Sequence, residues 1–447
     1  MNNRLTNRRQ FLIQAGTLMT GLGFTRPVLA RDAREFGVIP DKREDQSVAF
    51  QKMLDTADRQ RSRIYLAHGT YAISGIRLPD FVDLAGTGDQ TALINTTRNP
   101  LFAAQHSSRV MMDNILVDGV HLGHDDENFA LIDLRRVSNV ELTGLMIRRA
   151  KHDALRLEQC GGLIKRCTIS GAGRLGLFSM ESKALQISEN TVEDCADGGI
   201  IVHRHSQGYD GARINHNIIR RISASRGGTG QWGNGINIYK TNDVEIIANK
   251  VEDCAFSAIR ANTAQDFKMN DNTCLRSGET AIYAEFAFRN AEIKNNIVID
   301  AANGISAVNA DVGGGGAVIT GNIVKNINAI GPYDPPSTTL GNGISVEADI
   351  LVAGNTIENT ARYGINAGWG PHLRNVDVIG NTLKYSRIGI GISAAKGAGA
   401  INIKGNQISA REGNIHTHEW EKLNPIDIGL NPAQAPAHIT LEGNITS

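Results

Sequence analysis

Seven short segments from residue 198 onward carry chemically capable side chains at alternating positions. They read GGIIVHR, GNGINIYK, FSAIRAN, ETAIYAE, ANGISAV, GNGISVE and RYGINAG. In an extended strand successive side chains point to opposite faces, so an inward Ile sends its next neighbour outward. That alternation turns out Asn237 and Tyr239, Arg260 and Asn262, Tyr283 and Glu285, Ser306 and Val308, and Ser345 and Glu347, with His203 ahead of them and His205 continuing the face. One chemistry such a set allows is proton removal beside a carboxylate, the first step of polysaccharide elimination or epimerisation. It needs a base and a group that stabilises the enolate-like charge. Arg260 is the cation for the carboxylate, and Tyr239, Tyr283 or His203 is the acid or base. Glu285 orients Arg260 from the next coil, or simply pairs with it.

A second chemistry is glycoside hydrolysis by Glu285 and Glu347. They are two coils apart in one column, roughly 9–10 Å at strand spacing, near the upper limit for an inverting carboxyl pair. A third possibility is a non-catalytic glycan-binding or cell-envelope scaffold protein. Two loops rich in Gly or Pro, 223–235 and 328–343, precede outward-facing strands and are expected to stand as walls. They bring Trp232 and Tyr333 as platforms for a sugar ring. Asn237, Asn262, Trp232, Tyr333 and Glu347 are thus the expected substrate contacts. His203–His205 and His416–His418, with Glu419 beside the second pair, have a spacing a metal can use. Neither has a visible third ligand, so no metal site is assigned and the cofactor stays open.

What positions these residues is a repeat. From about residue 184 a column of Asn recurs: Asn190, Asn217, Asn249, Asn272, Asn296, Asn322, Asn355, Asn381, Asn406 and Asn444. An apolar residue stands three before each Asn, and two after all but the last, where Thr446 breaks the column. Earlier coils are looser, with Gly144 and Cys167 read into the Asn slot. Asn is expected at the bend between two short strands because it tolerates the left-handed backbone, and its amides can hydrogen-bond from coil to coil. With the Gly-Ile strand as a third, the period of roughly 23–27 residues describes a solenoid. The expected fold is all-β, a right-handed single-stranded parallel β-helix with three strands per coil. A Gly-poor stretch, Asp45–Arg59, is expected to form a short helix over the N-terminal end, N-capped by Asp45. The cap segment is placed at 31–61 and the β-helix at 62–447.

The formal net charge is zero, which leaves no general basic field for nucleic acid. No stretch after residue 30 reads as a membrane span. The pair Arg8–Arg9, an apolar stretch to Phe24 and Val28-Leu29-Ala30 form the layout of a twin-arginine signal over residues 1–30. The expected partners are therefore the twin-arginine translocation machinery and a polysaccharide, and the expected location is periplasmic or secreted. The five Cys are expected as buried free thiols, since Cys195 and Cys254 share a slot with one coil between them, too far apart for a disulfide.

FGVIPDKREDQSVAFQKML and IYLAHGTYAISG resemble the N-terminal cap of pectin-lyase-like right-handed β-helix proteins. The signal together with CAFSAIRANTA, ETAIYAEFAF and INAGWGPHLRNVDVIGN resembles the bacterial family of twin-arginine-translocated β-helix repeat proteins. The first resemblance implies a polysaccharide lyase, epimerase or hydrolase; the second implies no particular activity. The NTDG and GHG motifs of the superfamily's hydrolases are absent from the sequence.

Overall fold

The computed structural model describes residues 30–334 and 336–447. The expected signal, apart from Ala30, lies outside the described residues. The chain winds into an all-β, right-handed parallel solenoid of about 14 turns with one short helix near its N-terminus. Each coil stacks on the next in register, and the stacked strands run parallel almost throughout. One apolar column runs Ile187, Ile214, Ile246, Met269, Ile293, Ile319 and onward to Leu441. A second runs Val192, Ile219, Val251, Cys274, Val298, Val324, Ile357, Leu383 and Ile408. The third is Ile200, Ile236, Ile259, Ile282, Ile305, Ile344 and Ile365. Together they fill a thin continuous core, which β-branched side chains suit because they pack closely on a pleated surface.

The Asn column is the polar seam of this core. Asn296 shows the rule: its Nδ2 donates to Met269 O at 2.8 Å and to Asn322 Oδ1 at 2.9 Å, and its backbone N–H donates to the same Oδ1 at 2.9 Å. The pattern repeats from Asn190 to Asn406 and ends on Asn444. The bend is built differently from the expectation, however. The left-handed residue is the one before each Asn: Glu189, His216, Ala248, Asp271 and Asn295, then Gly321, Gly354, Gly380, Gly405 and Gly443. The Asn itself is selected for its buried amide, which closes the bonds a strand bend leaves open. The earlier coils need a matching correction. Register places Leu145, not Gly144, in the slot of Cys167 and Asn190, and Gly144 is the left-handed residue. Cys167 Sγ–H donates to Leu142 O, standing in for the missing amide donor.

The helix covers Ser47–Gln60 and buries Phe50, Met53, Leu54 and Ala57 over the first coils. Its N-cap position is Gln46 rather than Asp45, although the Asp45 carboxylate does accept the Ser47 N–H at 2.8 Å. Ala30–Asp32 pairs with Arg63–Tyr65, so the sheet already begins within the segment expected to be cap alone. At the other end, Gly413–Glu419 turns back as an antiparallel pair with Lys422–Asp427. The five Cys are buried free thiols, and Ile222 lies between Cys195 and Cys254 in the column. No helix among the described residues is long and apolar enough to cross a membrane.

Candidate functional site

The third strand of each coil forms a floor with two outward columns. One runs Phe178, Ile201, Asn237, Arg260, Tyr283, Ser306, Ser345 and Asn366. The other runs Met180, His203, Tyr239, Asn262 and Glu285, and by extension of the same register Val308 and Glu347. The strand alternation therefore assembles the side chains the sequence singled out, one coil step of about 4.8 Å at a time. They do not form one site.

Arg260 divides the floor. Its Nε and Nη2 donate to the two oxygens of Glu285 at 2.6 and 2.8 Å, and its Nη1 donates to Gly230 O at 2.5 Å. Glu279 lies 3.6 Å from the same Nη1, and the guanidinium stands 5.2 Å over the Tyr283 ring. Burial works against its charge, yet the Glu285 bond holds its pKa above the ordinary value. The expectation that Arg260 offers its fork to a substrate carboxylate is thus not met: Glu285 occupies the fork. Asn262 Nδ2 also binds Glu285, at 2.8 Å. The 223–235 loop does not stand off as a free wall but lies on the floor. Gly230 is required at the contact, since its φ is +119° and a Cβ there would fall 1.9 Å from Arg260 Nη1. Arg226 in this loop pairs with Glu127, joining a further wall that the sequence did not suggest.

On one side of Arg260 is a cavity of about 340 Å³ under the 328–343 loop, lined by Glu279, Tyr283, Tyr333, Glu347, Arg362 and Trp369 among others. Glu347 is 8% exposed. Burial pushes its carboxyl up to about 7, against the pull of the Ala310 N–H it accepts at 2.7 Å. Burial also raises Glu279, opposed by Arg260 and by the Tyr333 hydroxyl that donates to it. Ser257 Oγ donates to the other Glu279 oxygen at 3.2 Å. Burial raises Tyr283 and Tyr333 as well, so both phenols stay protonated at neutral pH. On the other side is a cavity of about 380 Å³ beneath residues 229–232, lined by His203, Trp232, Asn237, Tyr239, Arg260 and Asn262 among others. There burial pushes the His203 imidazole down to about 4, and the ring is edge-on to Phe178 and Tyr239.

The expected catalytic set is therefore split. His203, Tyr239 and Arg260 face one cavity, Tyr283 faces the other, and Glu285 lines neither. Of the expected contacts, Tyr333 and Glu347 join Tyr283, while Asn237, Asn262 and Trp232 lie beside His203. Glu279 was missed, although period two runs back from Glu285 through Tyr283 and Ala281 to it within the strand Thr273–Glu285. Arg362 opens the segment RYGINAG and Trp369 lies within INAGWGPHLRNVDVIGN, but strand alternation by itself gives neither a place on the floor. His416 and His418 are buried, their rings held by Asn424 O and Asn366 Oδ1. Among the described residues no group of three or more His, Cys, Asp or Glu is arranged to hold a metal.

Comparison with known proteins agrees with this architecture. Residues 203–326 match the family model "Right handed beta helix region". The chain is a right-handed β-helix. Residues 30–218 of the helix match "Rhamnogalacturonase A/epimerase, pectate lyase-like". The two matches support the right-handed β-helix superfamily. Among solved structures, the N-terminal fragment of bacteriophage phi29 gene product 12 aligns at TM-score 0.58 and 15% identity, over 93% of this chain and 71% of that one. The catalytic unit of a thermostable α-1,3-glucanase from Streptomyces thermodiastaticus aligns at 0.52 and 15%, over 94% and 70%. At such identity these likenesses establish the fold alone. No curated protein matches the β-helix.

Proposed function

We propose that this β-helix binds a glycan along its floor and cleaves it in the cavity between Glu279 and Glu347. The observation that carries this is the presence of two carboxyl groups, both raised by burial, on one cavity with Tyr283, Tyr333 and Trp369. Paired carboxyls are the usual means of glycosidic cleavage, one protonating the leaving oxygen while the other activates water. Glu347, titrating near neutral pH, is the acid. Glu279, with Arg260, Tyr333 and Ser257 around its carboxylate, is the base. This assignment replaces the Glu285–Glu347 pair, because Glu285 is committed to Arg260. The glucanase of similar fold and the rhamnogalacturonase and epimerase family model lend support from outside the chain.

Action on an acidic polysaccharide by elimination or epimerisation is a second reading, favoured by one observation. Arg362 lines the cavity and makes no ion pair with a carboxylate among the described residues, so it can take the uronate role expected of Arg260. Incubating the full-length mature protein with neutral and acidic polysaccharides separates the two. Hydrolysis gives new reducing ends without unsaturated-uronate absorbance, and Glu347→Gln or Glu279→Gln abolishes them. Elimination gives the absorbance, and Arg362→Ala removes it. Protein that releases no product from either class, yet is retarded in glycan gels, is a binding or scaffold protein instead. We also propose twin-arginine export to the periplasm or beyond. Replacing Arg8–Arg9 with Lys-Lys should leave the precursor in the cytoplasm.

A further inference from the structure

The second cavity has the marks of a ligand site with a chemistry of its own. We propose that the cavity beneath residues 229–232 is a sugar subsite that takes an uncharged residue of the glycan, an inference that rests on the floor being a glycan groove.

Three observations support it. Trp232, Tyr239 and Phe286 bring aromatic surface to one cavity, and Phe286 is 44% exposed. An apolar ring face next to polar atoms suits the C–H face and hydroxyl rim of a sugar. Two polar atoms of the same wall are buried without a partner among the described residues, Asn237 Oδ1 and His203 Nε2. Asn237 is only 6% exposed. Buried polar groups are nearly always paired, so each such atom calls for an explanation, and a hydroxyl brought in from the cavity supplies one. The lining also lacks an unbalanced charge. Arg260 is neutralised by Glu285, no carboxylate lines the cavity among the described residues, and His203 is neutral at physiological pH. Among the lining residues a uronate finds no free cation; Lys240, whose Nζ lies 4.8 Å from the Tyr239 ring centroid and donates to His205 O, is not part of the lining.

Along the floor, Tyr239 lies three coil steps before Val308, or roughly 14 Å from the midst of the carboxyl cavity. The Arg260–Gly230 contact stands between them as a sill. A glycan chain reaching both cavities crosses that sill, with a neutral residue on the Trp232 side and the bond to be cut on the Glu347 side.

The test is affinity electrophoresis of the full chain carrying Glu347→Gln, so that glycan is held and not consumed. The gels contain neutral glucans, galactans and galactomannan, with polygalacturonate and alginate alongside. At least one neutral glycan should retard the protein, equally at low and high salt. Trp232→Ala and Asn237→Ala should each weaken retardation by about tenfold, and Trp232→Phe should restore most of it. Asn237→Ala guards against a loop collapse caused by the Trp change. Retardation by acidic glycans alone, loss in high salt, or indifference to both substitutions overturns the subsite. If the wild type still cleaves a glycan through Glu347 in that event, the groove reading stands and only the subsite falls. If the wild type cleaves nothing but Trp232 governs retardation, the subsite stands and the cleavage reading falls.

Discussion

At the scale of single residues, burial decides the chemistry. Glu347 is a carboxyl whose folded pKa is raised to about 7. Such a group favours its protonated form in the fold, so its stabilising share is full below the unfolded value and is lost as pH rises through the folded one. Glu347→Gln should therefore make the protein more stable than wild type at pH 8, by on the order of 2–3 kcal/mol, and nearly equal at pH 4. Denaturant titration at the two pH values measures it. The same ionisation removes the proposed acid, so cleavage should decline as pH rises past 7. Arg260 makes a different case. Arg260→Ala strands the Glu285 carboxylate in a buried site and should cost about 3–5 kcal/mol, whereas Arg260→Met with Glu285→Leu should recover most of that. A catalytic Arg would show the reverse: little loss of stability, and no rescue of activity by the apolar pair. Alternation in the sequence was enough to read which side chains share the floor. It did not reveal that Arg260 spends its fork on Glu285, because a pattern of faces says nothing of which partner a side chain reaches. Glu279 escaped notice for a related reason: it opens the segment ETAIYAE but precedes the inward Ile282 from which the outward positions are counted.

At the scale of the element, each coil corner combines a left-handed residue with an Asn after it, and the two have different tolerances. Asn296→Ala removes an acceptor from two N–H groups of Asn272 and a donor to Met269 O. Leaving such buried groups unpaired should cost about 2–4 kcal/mol. Gly354→Ala should cost only about 1 kcal/mol, since nothing lies within 4 Å of a Cβ there and Glu189 and Ala248 already adopt the same conformation. Thermal denaturation of the two variants should rank them in that order. The Asn column was legible because it is periodic. Its reason was not, because sequence spacing cannot separate a residue chosen for its backbone from one chosen for its amide. The same ambiguity put Gly144 in a slot that register gives to Leu145.

At the scale of the whole molecule, the solenoid has few contacts between distant coils, so damage should stay local. Phe50 is fully buried where the helix meets the first coils, 6.2 Å from Phe102 between ring centroids. Phe50→Asp should speed hydrogen exchange over residues 63–118 while leaving the coils from 296 to 406 as protected as in wild type. Uniformly faster exchange would show that the coils unfold as one. The Asn seam has a further consequence, which concerns descent. Because one rung is equivalent to the next, Asn381 and Asn406 are interchangeable ends, 25 residues apart. Excising 381–405 brings Asn406 to the place where Asn355 meets its neighbour and leaves Glu279, Glu347 and Trp369 in the chain. The gene can thus gain or lose a whole turn by unequal recombination without breaking the thread, and groove length becomes a heritable trait that varies in whole-number steps.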